Sequence, residues 1–469
     1  MLKKNDIVTL SVDGITSEGS GVGRFEGVAV FVPGAADGDL IRARIVKVLS
    51  SYCFGIIEEI LAPSPFRTED GCVAYRQCGG CSLRHIVYEH EVEVKNGWVV
   101  ENMRRIGGLT PEILPPLPSP QSSRYRNKAV YPVRMENGEL RIGFFAKRSH
   151  RVIDCTACAL HPPEFETLLG AVRAYLLRFS VPVYNEERHA GLVRSVFLRH
   201  GEATGEIMVC LIVNGSAIPE EKAFCEMIRA ASPKVVSIIL NSNTEKTNVL
   251  TGRRCRTLWG EGGITDRIGA LQFKISPLSF FQVNRAGAER LYDAAAGFAQ
   301  LTGRETVLDL YCGTGTIGLF LAACAKEVIG VEIVAPAVEN ARENAKINGI
   351  QNARFLCADA AQAAAQLRDE GIHPDVVVVD PPRKGLDPAL IETIAGMAPD
   401  RVVMVSCNSA TAARDAKQFD ALGYHCEKLQ AVDLFPRTAH VETVVLLSKL
   451  NTKQHIEVEL NLDELDLTA

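Results

Sequence analysis

Apolar and polar residues alternate along the first 60 residues, interrupted by glycine-rich turns. Ile7–Val12, Gly27–Val32 and Leu40–Val46 carry the period of two that half-buried strands require. Short strands at this spacing predict a small β-barrel of the OB type over residues 1–60. Leu61-Ala62-Pro63-Ser64-Pro65 reads as the linker that closes it.

Residues 61–265 form a second, α+β unit. A partly amphipathic helix is predicted from His90 to Ile106. The stretch from Pro111 to Pro120 holds five prolines and reads as an extended connector. Strands follow at Lys128–Val133, Leu192–Leu198, Gly205–Val213 and Val235–Leu240.

From about residue 305 the pattern becomes strand–helix alternation. Thr306–Leu310, Glu327–Val331, Ala353–Leu356, Asp375–Val379 and Arg401–Val405 are short and continuously apolar, as in a sheet covered on both faces. Ala335–Ile347 and Asp387–Met397 are helical. The fold class is α/β: a doubly wound, Rossmann-like parallel sheet over 266–450, an α+β unit before it and the barrel in front. Residues 451–469 are an acidic tail, with Glu457, Glu459, Asp463, Glu464 and Asp466.

Composition changes this picture in few ways. At 469 residues, two or three domains are expected. The net charge of -5 excludes a global basic field, so nucleic acid must be met by local patches. Arg24, Arg42 and Arg44 are the candidate phosphate contacts of the barrel. No apolar run approaches the ~20 residues of a membrane span, and no apolar leader follows Met1, so a cytoplasmic monomer is expected. In that setting the 14 cysteines point to metal or catalytic roles rather than disulfides.

Asp309-Leu310-Tyr311-Cys312-Gly313-Thr314-Gly315-Thr316-Ile317-Gly318 follows a strand and opens a helix. Its glycines let the backbone approach a nucleotide-type ligand; Gly313 and Thr316 are candidate contacts. Glu332 ends the next strand, where an acid can accept from ribose hydroxyls. Asp309 would oppose a pyrophosphate but suits the sulfonium and ammonium of S-adenosylmethionine, so that cofactor is preferred to NAD. Asp359, after the third strand, is either an adenine contact or a helix N-cap.

Asp380-Pro381-Pro382-Arg383-Lys384-Gly385 leaves a buried strand at the sheet edge where ligands bind. Cys407, in Ser406-Cys407-Asn408, ends the next strand before a helix, whose N-terminus is expected to lower the thiol pKa. A cysteine there is by itself more often a small buried residue; Asp380 and Glu442 turn the reading to chemistry. A thiolate can add to C6 of uracil, leaving C5 to take a methyl group. Removal of the C5 proton needs a base, and Glu442, in His440-Val441-Glu442, stands at a strand start where burial would raise its pKa. Cys72, Cys78 and Cys81 place three thiols within ten residues, and Cys155 or Cys158 could add a fourth. Zinc and an iron–sulfur cluster fit this spacing equally.

These segments together resemble the RNA uracil-C5 methyltransferase family, in particular its bacterial 23S ribosomal RNA members. Residues 1–60 resemble the TRAM barrel, and Ser279-Phe280-Phe281-Gln282-Val283-Asn284 resembles the signature that opens the catalytic domain. The resemblance implies that Gln282, Tyr311, Glu332 and Asp380 contact S-adenosylmethionine, that Cys407 is the nucleophile and that Glu442 is the base. It further implies a 4Fe–4S cluster on Cys72, Cys78, Cys81 and Cys158. Cys158 is preferred to Cys155 because the family's last ligand falls four residues after an aspartate like Asp154. Uridine C5 methylation of 23S ribosomal RNA is the expected activity. A transfer-RNA uridine methyltransferase is the first alternative, and an RNA-binding or folding factor without turnover is the second.

Overall fold

Strand formation at the N-terminus follows the alternation. In a computed structural model describing residues 2–449 except Asp70, Arg148 and Asn248, five strands close into a barrel. They are β1 (Ile7–Ile15), β2 (Ser20–Phe25), β3 (Val28–Pro33), β4 (Leu40–Val48) and β5 (Tyr52–Ala62), in the order β1-β2-β3-β5-β4. Leu10, Val12, Val30, Val32, Ile41 and Ile45 fill the interior. β2 brings glycine inward because there is no room for more: a Cβ on Gly23 would stand 2.2 Å from the Ser11 carbonyl oxygen. β5 runs past the expected end of the unit. Beyond it Ser64 is buried and donates its N–H to Asp39 at 2.9 Å, and Arg67 pairs with the same carboxylate at 2.6 Å. Residues 61–65 are therefore fastened to the barrel and do not act as a free linker.

Two of the three candidate phosphate contacts on the outer face of the barrel stand beside carboxylates. Arg42 pairs with Glu59 at 2.8 Å, and Arg44 pairs with Glu58. Their charges are already matched within the barrel. Beside them Phe31, Tyr52 and Phe54 form a half-exposed aromatic cluster with ring centroids 5.4 to 5.9 Å apart.

After the barrel come α1 (Tyr88–Asn102), a π-helical turn at Met103–Gly107 and β6 (Glu112–Ile113). The central sheet is built from β7 (Lys128–Glu136), β8 (Glu139–Phe145), β9 (Val152–Asp154), β10 (Val193–His200), β11 (Ile207–Val213), β12 (Val235–Ser242) and β13 (Arg254–Gly260). Its order is β13-β12-β11-β10-β7-β8-β9. On one face, α2 (Glu164–Arg178) and α3 (Glu221–Ala231) bury Phe165, Leu168, Phe224 and Ile228 against Tyr131, Val196 and Leu211.

The hairpin of β14 (Ile264–Ile268) and β15 (Leu271–Ile275) leads into α4 (Arg285–Ala299). The third unit then alternates: β16 (Thr306–Leu310), α5 (Thr316–Ala322), β17 (Glu327–Glu332), α6 (Ala335–Ile347), β18 (Ala353–Cys357), α7 (Ala360–Asp369), β19 (Val376–Val379), α8 (Pro388–Met397), β20 (Arg401–Ser406) and α9 (Ser409–Ala421). It closes with β21 (Tyr424–Val432) and β22 (Glu442–Lys449). The sheet order is β18-β17-β16-β19-β20-β22-β21-β6. The four valines of β19 are fully buried, each worth about 1.5–3 kcal/mol of burial. Pro381 and Pro382 stop the strand because they offer no N–H to the ladder.

Three expectations about this unit are corrected. The sheet is not wholly parallel: β18 to β20 run parallel, whereas β22 is antiparallel to both β20 and β21. The boundary at 265 cuts β14, whose Ile264 and Ile268 share a core with Phe281 and Leu291. Residues assigned to the central unit also belong to this layer. Val99 and Met103 of α1 and its π-turn pack with Met404, Phe419 and Leu429, and the proline-rich connector adds β6 to the sheet edge beside β21. The acidic tail expected at 451–469 lies outside the described residues.

Candidate active site

Strand order reverses at β16, which has β17 on one side and β19 on the other. Loops leaving adjacent strands at such a point part in opposite directions and open a crevice. The turn after β16 fills its floor. Tyr311 (φ 66°) and Gly313 (φ 56°) are both left-handed; the tyrosine is the costly one, since a side chain rarely adopts this conformation. Glu332 braces the turn by accepting from Gly313 N–H at 3.1 Å and Val334 N–H at 2.8 Å.

Asp309 does not face the crevice as the sequence led us to expect. It is fully buried under the turn and accepts from Gly318 N–H at 2.9 Å, while its Oδ1 has no partner. A Cβ at Gly318 would stand 2.7 Å from that carboxylate, so glycine is required there. Burial, with Asp380 and Glu332 nearby, pushes the Asp309 pKa up to about 8. Asp359 is exposed and caps α7, accepting from Ala361 N–H at 3.0 Å and Gln362 N–H at 3.2 Å. Thr316 is buried and accepts from the Tyr292 hydroxyl at 3.0 Å, and Gln282 lies beside the same hydroxyl.

The next three strand ends carry the reactive groups. Ser406 of β20 pairs with Thr443 of β22, so the same antiparallel register sets Cys407 opposite Glu442. Asp380 leaves β19, the parallel neighbour of β20. Glu442 is 5% exposed, and burial, with Asp380 nearby, raises its pKa to about 8. Burial alone raises Asp380 to about 7. Cys407 corrects the expectation of a lowered thiol pKa. Burial pushes the thiol up, and the charges of Glu442 and Asp380 push the same way. A helix N-terminus contributes only about 0.3–1 kcal/mol, and one free N–H of α9 is already taken by Asn408, whose side chain accepts from Ala410 N–H at 3.1 Å.

Asn408 also donates to the Arg383 carbonyl at 3.2 Å, tying the Pro-Pro-Arg turn to the Cys407 loop. Arg383 in turn lies 3.3 Å from His440 Nε2. Several supports escaped the sequence reading. Arg199, fully buried, donates to the carbonyls of Ser279 (2.8 Å) and Phe281 (3.2 Å) and so fixes the loop leading to Gln282. Lys95, also buried, bridges Glu91 at 2.7 Å and Asp433 at 2.8 Å, and Glu91 holds the N–H of Arg437 at 2.6 Å. That network anchors the segment that delivers Glu442. The tip of the β1–β2 turn touches it too, since a Cβ on Gly19 would stand 3.6 Å from Ala439.

The cysteines converge without forming a mononuclear site. Cys72, Cys78 and Cys155 gather around Ala146, and Cys81 and Cys158 gather around Tyr125 and Leu160. Burial raises Cys81 and Cys155 to about 12 and raises Cys78 and Cys158 as well, with neighbouring thiols adding to the shift in each. Among the described residues, no group of three or more His, Cys, Asp or Glu side chains is placed to hold a metal ion. The expected ligand set Cys72, Cys78, Cys81 and Cys158 therefore has no coordination geometry here.

Residues 88–450 match the family described as tRNA (Uracil-5-)-methyltransferase, and residues 2–57 match the TRAM domain. An "Uncharacterized RNA methyltransferase" of Halalkalibacterium halodurans is 44% identical over 96% of this chain and 98% of its own. One from Clostridium tetani is 40% identical over 97% and 98%. The crystal structure of Pyrococcus abyssi tRNA (uracil-54, C5)-methyltransferase in complex with S-adenosyl-L-homocysteine has a TM-score of 0.76. It is 28% identical and covers 94% of this chain and 100% of its own. The chain belongs to the RNA uracil-C5 methyltransferase family, uses S-adenosylmethionine and carries an N-terminal TRAM domain.

Proposed function

We propose that the protein methylates C5 of a uridine in 23S ribosomal RNA through a covalent adduct on Cys407. The observation that carries this reading is the register that sets Cys407 opposite Glu442, with Asp380 at the neighbouring strand end. Cys407 loses its thiol proton to solvent, the Sγ thiolate bonds to C6, and the C5=C6 electron pair moves to make C5 nucleophilic. S-adenosylmethionine supplies an electrophilic methyl group on its sulfonium and departs as the neutral thioether. Glu442 then takes the C5 proton, the electron pair restores C5=C6, and Cys407 leaves C6 as thiolate. Because Glu442 is buried, it holds that proton out of water until the thiolate has left.

The crevice residues suit the cofactor. Asp380 and Glu332 around the turn favour a ligand bearing a sulfonium and an ammonium, while buried Asp309 holds the turn from beneath through Gly318 N–H. Gln282, Tyr311, Gly313, Thr316, Glu332 and Asp380 hold it, with the free side of Asp359 at the adenine end. Burial keeps the protons on Cys78, Cys81, Cys155 and Cys158; iron would displace those protons. A structural 4Fe–4S cluster on Cys72, Cys78, Cys81 and Cys158 rests on the family resemblance and not on coordination geometry among the described residues.

The Pyrococcus abyssi relative, a transfer-RNA enzyme whose whole length matches 94% of this chain, makes transfer RNA the second reading. Mapping 5-methyluridine in ribosomal and transfer RNA from a deletion strain tests the choice. Loss of a 23S site supports the first reading, and loss confined to transfer RNA overturns it.

A further inference from the structure

The face of the central sheet turned toward the methyltransferase layer carries charge that nothing among the described residues balances. On β7 and β10, Val130 pairs with Phe197 and Lys128 pairs with Arg199. Phe197 packs in the core shared with Phe281, Val432 and Val444, which places this face beside the catalytic unit. Arg126 and Lys128 are two residues apart with buried Asn127 between them. Asn127 points the other way, donating its N–H to the Val283 carbonyl at 2.8 Å and its side chain to the Gln282 carbonyl at 3.0 Å. The backbone between the two cations is thereby fixed beside the Gln282 loop.

Arg199 spends its charge on backbone carbonyls. Among the described residues, the side chains of Arg126 and Lys128 have no hydrogen-bond acceptor and no carboxylate partner. Both are only partly exposed. Burial and the charges of Arg199 and Arg126 bring Lys128 down to about 8. Holding an unmatched ammonium in such a place is costly unless an anion arrives to complete it. Arg126 is also close enough to His440 to act on its titration, together with Arg383, which is 3.3 Å from the His440 ring. His440 precedes Glu442 by two residues.

We propose that Arg126 and Lys128, together with Arg383, bind a phosphodiester of the RNA backbone adjacent to the uridine presented to Cys407. This rests on the reading of Cys407 and Glu442 as the reacting pair. A base extracted for chemistry must be held by its backbone, since its stacking and pairing have been given up, and phosphate contacts fix register without reading sequence. The other anion within reach is the carboxylate of S-adenosylmethionine. The test separates the two.

Lys128→Gln and Arg126→Gln are prepared in the full-length enzyme. RNA binding is measured by filter retention over a salt series, using whichever unmodified transcript, 23S ribosomal RNA or transfer RNA, the wild type methylates. Each variant should raise the RNA Kd by roughly tenfold and flatten the log–log salt slope by about 1. S-adenosylmethionine affinity and melting temperature should stay at the wild-type value, and Lys128→Arg should restore binding. Unchanged Kd and slope beside an active wild type would overturn the phosphate site. Weakened cofactor binding with unchanged RNA binding would assign the cations to the cofactor carboxylate instead. If Lys128→Gln does not fold, Arg126→Gln decides. A wild type that methylates neither transcript would count against the Cys407 reading and not against this site alone.

Discussion

Replacing Glu442 by glutamine removes a proton acceptor from a position that burial has made hard to charge. The shape is conserved, so the change tests chemistry more than packing. With a pKa of about 8, only about one tenth of the wild-type carboxylate is ionised at pH 7. Decay of the covalent RNA adduct in the wild type should therefore quicken about tenfold between pH 7 and 9, following carboxylate formation. In Glu442→Gln that decay should fall by about 10²–10⁴-fold, the usual worth of a general base, and lose its pH dependence in this window. Adduct should accumulate on unmodified RNA and be visible as a shifted band in denaturing gels. A stability consequence follows from the same proton. The folded pKa lies above the unfolded value, so the native state holds a proton that the unfolded state has lost. That contribution is fully present below about pH 4.5 and is lost as pH rises through about 8. From pH 6 to 9 the wild type should lose roughly 3 kcal/mol relative to the glutamine variant, measured by urea unfolding without cofactor. Parallel stability curves, or an adduct that decays at the wild-type rate, would refute the assignment of both the burial and the base.

Cys407→Ala should abolish turnover while leaving RNA binding within about twofold, and the wild type should trap covalently on RNA carrying 5-fluorouridine; turnover in the alanine variant would remove Cys407 from the reaction. S-adenosylmethionine should bind more tightly as pH rises from 6 to 8 and release protons, because its positive charge favours ionised Asp380 (about 7). Calorimetry in two buffers of different ionisation enthalpy reads this directly, and a buffer-independent heat speaks against it. Protein purified without oxygen should carry about four irons per chain; Cys158→Ser should lose them and Cys155→Ser should keep them, and the reverse result moves the fourth ligand. Phe54→Ala on the barrel should weaken RNA binding by about 1–3 kcal/mol if the aromatic cluster stacks bases, whereas Arg42→Ala, already paired with Glu59, should change it little.

Local periodicity reports which face of an element is buried, and where burial is local the sequence was legible. Thr306–Leu310 is a strand with the bounds its apolar run suggests, and Ala335–Ile347 is the helix its spacing indicates. Ser20–Phe25 was not legible as a strand, because two of its inward positions are glycines that carry no hydrophobic signal. The antiparallel hairpin that ends the sheet also left no local mark: Tyr424–Val432 mixes polar and apolar residues because it lies near the sheet edge beside the short Glu112–Ile113 strand. At the site, residue types were readable but their electrostatics were not. The helix start beside Cys407 is visible in the sequence and argues for a low thiol pKa. Burial, which reverses the sign, and the two carboxylates that add to it come from other strands.

The buried charges of α1 make the same point more sharply. The helix expected from His90 as partly amphipathic carries charged residues through its first turns, yet Glu91 and Lys95 are buried. The partner that makes this tolerable, Asp433, is 338 residues away from Lys95. An isolated buried lysine would be strongly destabilising, and a bridged one is tolerated only while both carboxylates stay in place. Because Glu91 also holds the Arg437 N–H and Lys95 also holds the Phe435 carbonyl at 3.1 Å, the network is satisfied only when the segment before Glu442 adopts one path. The cost of burying three charges is thus tied to a single backbone course, which fixes where the base stands relative to Cys407. No window of local sequence contains that information, since it exists only once both ends of the chain have met.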